Sequence, residues 1–167
     1  MAATGLLLQH ALALLVARPH TSRELATKLA IVCARRRTSK MAHVREVYAD
    51  ANCGACVAAV LHDLRTRGLV DDAKYAEWHV AQRVRGRPRS RLQIGAELAK
   101  KGVRSHDVEA AVASTGYDEV AAASAALRRR RSPSSLQWAG YPQRVIQAAA
   151  ARVAAEDRGD DDAAPDE

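Results

Sequence analysis

Residues 90–103 read SRLQIGAELAKKGV, and the way this stretch is read decides the fold. Ser90 stands three positions before Gln93, the spacing at which a hydroxyl and a longer polar side chain satisfy the free amides of a helix start. Ile94 and Leu98 lie four apart and share one helical face. Gly102 then ends the helix, because glycine enters the left-handed cap without steric cost. The same construction occurs 69 residues earlier: Thr21 and Glu24 form the box, and Leu25 and Leu29 the face. Each copy follows a basic residue and proline, Arg18-Pro19 and Arg87-Pro88.

A second offset, of 38 residues, relates Leu98, Gly102, Val103, Val108 and Ala111 to Leu136, Gly140, Tyr141, Ile146 and Ala149. Apolar spacing of this kind predicts helices over 4–17, 22–31, 56–67, 72–85, 91–101, 106–114, 118–131, 134–139 and 143–156. Grouped in threes, they predict an all-α chain of tandem three-helix repeats. The first repeat covers 1–70, the second 71–115 and the third, more divergent, 116–155. Residues 32–55 do not fit the unit and read as an insertion in the first repeat. Aromatic residues make up 4% of the chain, with no Phe, so a large aromatic core is excluded.

Charge is unevenly distributed. The chain carries a net +7, but residues 156–167, EDRGDDDAAPDE, hold seven acids and one arginine. This acidic tail has nothing apolar to bury and is expected to be disordered. The body that precedes it is correspondingly more basic and points to phosphates or an acidic partner surface.

Arginine falls at every second position through Arg83, Arg85, Arg87, Arg89 and Arg91. A strand with one charged face is excluded by the interleaved Gly86 and Pro88, so the run crosses a turn between two helices. Two readings stand: a solvated turn, or a surface for phosphate, which the planar guanidinium suits. The same choice applies to Lys100, Lys101 and Arg104 around Gly102, and to Arg128, Arg129, Arg130 and Arg131 at a helix end, where cations also complement the helix dipole. Arg35, Arg36, Arg37 and Lys40, in the insertion, either bind nucleic acid or are merely solvated.

Asp71 and Asp72 precede a helix and read as caps rather than acid–base groups. Trp138 and Tyr141 read as packing residues, with base stacking as the alternative. His79 and His106 read as helix or cap surface. Cys53-Gly54-Ala55-Cys56 is a lone C-x-x-C; with Cys33 it offers a weak zinc alternative, while the odd cysteine count points to reduced thiols. No phosphate loop, H-E-x-x-H or nucleophile elbow is present, so no enzyme activity and no cofactor are expected. The apolar run Leu6–Ala17 is too short to span a membrane and has no basic residue ahead of it. A cytoplasmic monomer is expected, with a eukaryotic organelle as the alternative location.

The stretch Gly68-Leu69-Val70-Asp71-Asp72-Ala73-Lys74-Tyr75-Ala76 resembles the G-L-hydrophobic-D-D-x-x-aromatic-A signature of the RecX family. Leu98-Ala99-Lys100-Lys101-Gly102-Val103 resembles its L-x-x-K-G-hydrophobic element, and residues 11–30 resemble its first repeat. Leu136-Gln137-Trp138-Ala139-Gly140-Tyr141 resembles the third, with Ala139 where a basic residue is usual. Gly68, Leu69, Asp71, Asp72, Tyr75, Ala76, Leu98 and Gly102 are the motif positions. The resemblance implies an elongated, curved rod that binds RecA recombinase filaments on DNA and restrains their ATP hydrolysis and strand exchange. The basic residues named above are then the expected contacts with recombinase and DNA. A stand-alone, sequence-independent DNA-binding protein is the alternative. The segment 32–55 is the main departure from the family pattern.

Overall fold

In the computed structural model, residues 2–85, 89–129 and 132–161 are described. Among them the regular structure is helical throughout, in the order α1 (Ala2–Ala17), α2 (Ser22–Arg37), α3 (Ala42–Ala49), α4 (Cys53–Thr66), α5 (Asp72–Arg85), α6 (Arg91–Lys100), α7 (Ser105–Ser114), α8 (Glu119–Arg128), α9 (Pro133–Trp138) and α10 (Gln143–Asp161). The chain divides into two compact units. One is Met1–Tyr75 with Lys101–Val103; the other is Ala76–Lys100 with Arg104–Glu167.

The first unit is built on α1, α2 and α4, whose Leu7, Leu25, Leu29, Val60 and Leu64 form its core. The inserted segment is structured: it lengthens α2 to Arg37 and adds α3, which packs on α2 and α1. Tyr48 of α3 is 0% exposed, and its hydroxyl donates to the Ala3 carbonyl at 3.4 Å. Cys33 in α2 and Cys53 at the start of α4 form a disulfide, and Cys56 is the free thiol. The expectation of three reduced thiols is thereby corrected. The zinc alternative fails with it, because the sulfurs of Cys33 and Cys53 hold each other. No cluster of three His, Cys, Asp or Glu ligands forms among the described residues.

In the second unit α10 packs along α8 and α9, and α6 packs on α7. Its core takes Ile94, Leu98, Ala123, Leu136, Ile146 and Ala149. The α8–α10 contact relies on alanines and on Ser124, whose hydroxyl donates to the carbonyls of Val120 at 2.9 Å and Ala149 at 3.5 Å. The acidic tail, expected to lack structure from residue 156, begins inside α10, which continues to Asp161. Residues 162–167 lie outside the described residues.

One joint occurs in both units. In the first, the Thr21 hydroxyl accepts the Glu24 amide at 3.1 Å and donates to the Lys101 carbonyl at 2.7 Å. In the second, the Ser90 hydroxyl accepts the Gln93 amide at 3.2 Å and donates to the Ala139 carbonyl at 2.6 Å. Each thus caps its own helix and grips the residue before a glycine, Gly102 or Gly140, at φ 82 and 78. A Cβ at Gly102 would stand 2.5 Å from Arg23 Cδ, and one at Gly140 2.7 Å from Leu92 Cδ2. Glycine is required there twice over, by backbone angle and by close approach. A hydroxyl cap of this kind contributes on the order of 1 kcal/mol.

Candidate partner-binding surface

The fold divides the alternating arginines by what they meet. Arg83, on the last turn of α5, reaches Glu97 of α6, with Nη2 2.7 Å and Nε 2.8 Å from Oε2. Arg89 brings Nε to 3.7 Å from Oε1 of the same carboxylate. His79, which is buried rather than on the surface, places Nε2 2.9 Å from Oε2. Three basic side chains therefore converge on one acid. Burial alone would push the Glu97 carboxyl up, but hydrogen bonds from His79 and Arg83 outweigh it and hold the group below its ordinary value.

Arg91 is also engaged. Its backbone N–H donates to Glu119 Oε1 at 2.8 Å, and its Nη2 donates to the Tyr117 carbonyl at 3.4 Å. The Tyr117 hydroxyl donates to the Arg89 carbonyl, and burial pushes its ionisation well up. Arg104 Nε lies 3.0 Å from Asp107 Oδ2, and this hydrogen bond depresses the Asp107 carboxyl. Arg128 pairs with Glu156. Arg85, Lys100 and Arg129 are exposed and have no ion pair among the described residues. Arg87, Arg130 and Arg131 lie outside the described residues.

In the first unit, Lys101 Nζ stands 2.5 Å from Glu24 Oε1 and 5.5 Å from the centre of the Tyr75 ring. Burial would raise the Glu24 carboxyl, but the Lys101 ammonium and the Thr21 amide bring it below its ordinary value. His20 is buried beside it, with Nδ1 3.4 Å from Glu24 Oε2 but not aligned for a hydrogen bond. Burial, with Arg18 and Lys28 nearby, disfavours the imidazolium and lowers the His20 pKa.

The motif residues act on the backbone, most of them within a turn of their own position. Gly68, at φ 66, turns the chain so that the Leu69 and Val70 amides reach the Leu64 carbonyl at 2.9 and 3.3 Å. Asp71 Oδ1 accepts the amides of Ala73 and Lys74 at 3.0 and 3.1 Å. Asp72 Oδ1 accepts the Ser22 amide at 2.7 Å, which ties α5 to the start of α2. Tyr75, Ala76 and Leu98 are buried, whereas Leu69 is exposed.

Trp138 corrects the packing expectation: it is 93% exposed at the end of α9, while Tyr141 is buried. Sequence reasoning missed Glu97 altogether. The available signal was its isolation, since it is the one carboxylate between Glu77 and Asp107, amid eight Lys and Arg.

Glu97→Gln is expected to lower stability by roughly 1–2 kcal/mol, held to that range because the carboxylate is 28% exposed. A urea midpoint near neutral pH measures it. Because the folded carboxyl titrates below its unfolded value, its contribution is present above about pH 4.3 and is lost as pH falls through the folded value. The variant should therefore lose less stability than the parent across that acid range.

Residues 71–112 match the family model described as RecX, second three-helix domain. No curated protein matches the chain. Among solved structures, RecX from Lactobacillus salivarius is 18% identical with a TM-score of 0.66, over 91% of this chain and 97% of that one. A structure described as regulatory protein RecX is 17% identical with a TM-score of 0.65, over 87% of this chain and 70% of that one. At these identities the two structures show a shared fold. Residues 71–112 are thus similar to the second three-helix domain of RecX, and the fold shared with the two solved structures extends over most of the chain.

Proposed function

We propose that this chain is a regulatory protein of RecA-related recombination and DNA repair. It binds recombinase filaments on DNA as a monomer in the cytoplasm and restrains their ATP hydrolysis and strand exchange. The match of residues 71–112 to the RecX domain carries this reading. The basic body supports it, because a filament on DNA presents phosphate and acidic protein together.

The contacts proposed are the cations on and after α5. Arg85, Lys100 and Arg129 lead, having no ion pair among the described residues. Arg91, Arg104 and Arg128 follow, exposed although paired. Arg87, Arg130 and Arg131 belong to the same runs. Arg83, Arg89 and Lys101 hold Glu97 and Glu24 and shape the surface more than they bind. No pattern of base-reading side chains accompanies these cations, so contact with DNA is independent of sequence. The action is occupancy, not catalysis: a bound protein excludes the incoming duplex.

The test adds the protein to an ATP-hydrolysing RecA-type filament on single-stranded DNA. Slower ATP hydrolysis and strand exchange are expected, with binding to the filament exceeding binding to bare DNA at moderate salt. Unchanged filament lifetime and activity, with binding no tighter than to bare DNA, would leave only a general DNA-binding protein.

A further inference from the structure

Between Glu24 and Glu46 the chain has no carboxylate and six cations: Lys28, Arg35, Arg36, Arg37, Lys40 and Arg45. This run ends α2, crosses to α3 and occupies much of the inserted segment. Its electrostatics differ from those around Glu97. There, folding supplies acids that answer the arginines; here, among the described residues, it supplies none. The side chains of Arg35, Arg37 and Lys40 are exposed and have no hydrogen bond or ion pair among the described residues. Arg36 lies with its guanidinium carbon 5.6 Å from the centre of the Tyr48 ring, and Arg45 Nη1 donates to the Ser39 carbonyl at 3.3 Å.

The helix dipole accounts for only part of this. Cations in the last turn of α2 complement its C-terminal carbonyls, but Lys40 and Arg45 lie beyond that turn. Nor is the segment a loose loop. The Cys33–Cys53 disulfide anchors it on one side and the buried Tyr48 on the other. Holding unneutralised guanidinium groups at fixed positions keeps like charges close, which costs stability unless an anion is bound.

We infer that the inserted segment, through Arg35, Arg37 and Lys40 with Arg36 and Arg45, is a second docking surface, whose partner is the phosphodiester backbone of nucleic acid. A partner with charges of one sign at short, regular spacing matches a run of one sign, and DNA presents one charge per roughly 1.7 Å of duplex axis. Acidic protein surfaces intersperse their carboxylates with lysine and arginine, and a partner of that kind would meet repulsion along this run. The surface is independent of any recombinase, so it is tested on bare DNA.

The triple variant Arg35→Ala, Arg37→Ala, Lys40→Ala removes three exposed side chains that the fold leaves unpaired, so its melting temperature without DNA should equal or exceed the parent's. Binding of a labelled oligothymidine and of a duplex is followed across a salt series by anisotropy. The variant should bind roughly tenfold more weakly near 0.1 M salt, with a slope of log affinity against log salt shallower by about 2. Photoreactive thymidine should cross-link the unaltered protein within residues 34–45. An unchanged slope, or cross-links confined to other segments, overturns the proposal. So does intact DNA binding with filament binding lost, which would make the surface a protein contact. Loss of bare-DNA binding together with normal filament inhibition would support this surface and leave the regulatory reading intact.

Discussion

Replacing Tyr48 with alanine is expected to destabilise the first unit by about 3–5 kcal/mol, the cost of emptying a buried aromatic site. Tyr48 is 0% exposed and is the one fully buried residue of α3. The ring carries nearly all the burial by which the inserted helix joins the core. The substitution also removes the surface beneath Arg36 and the hydroxyl that reaches Ala3. Met41→Ala, just ahead of the same helix at 62% exposure, serves as the control and should stay within about 0.5 kcal/mol of the parent. Urea unfolding, with hydrogen exchange resolved over residues 2–75, measures both. A loss below about 1 kcal/mol for Tyr48→Ala would show that α3 is an appendage whose removal the core tolerates.

Opening the Cys33–Cys53 bridge should rank next. It joins residues 20 apart in sequence and encloses α3, and a cross-link over such a span restricts the unfolded chain by about 3 kcal/mol. The oxidised protein should therefore unfold at distinctly higher urea than the same protein under dithiothreitol, and Cys33→Ser should be insensitive to the reductant. Intact-mass measurement of the untreated protein reports the bond directly, through the two hydrogens lost on oxidation. Three reactive thiols in the folded, untreated protein would contradict the bridge. Identical urea midpoints with and without reductant would show that α3 is held by packing alone.

What the sequence discloses of this molecule follows how local each feature is. Thr21, Ser90, Glu24, Gln93 and the glycines at 102 and 140 announce their helices because caps and stops act within a turn of the chain. The second partner of each cap hydroxyl, a carbonyl 80 or 49 residues away, is invisible to any such reading. The helix inside the insertion was passed over because α3 has only eight residues, so Val44, Val47 and Tyr48, though at helical spacing, make a single turn's worth of signal. Trp138 was misread because a large apolar residue is counted as core by default, although much apolar surface stays in water.

The basic residues of the candidate surface were legible in the sequence, but the carboxylates that pair with some of them were not. Counting arginines finds the basic region but not the division of labour within it. Arg83 and Arg89 are answered by Glu97 from 14 and 8 positions further along the chain, whereas Arg85 is left over. Isolation of one carboxylate among cations is a readable signal, and it ranks Glu97 above every arginine it neutralises.

The paired joints carry a consequence for how the two units respond to their medium. Both use the same uncharged grip, a hydroxyl on a carbonyl, but only the first adds Glu24 and Lys101; the matching positions in the second are Gln93 and Ala139. Losing both charges together leaves no stranded carboxylate, so the second joint stays sound without them. Counter-ions at physiological strength and above screen the Glu24–Lys101 attraction and have nothing to screen at Gln93 and Ala139. One fastening is thus tunable by its ionic surroundings and the other is indifferent to them, within a single short chain.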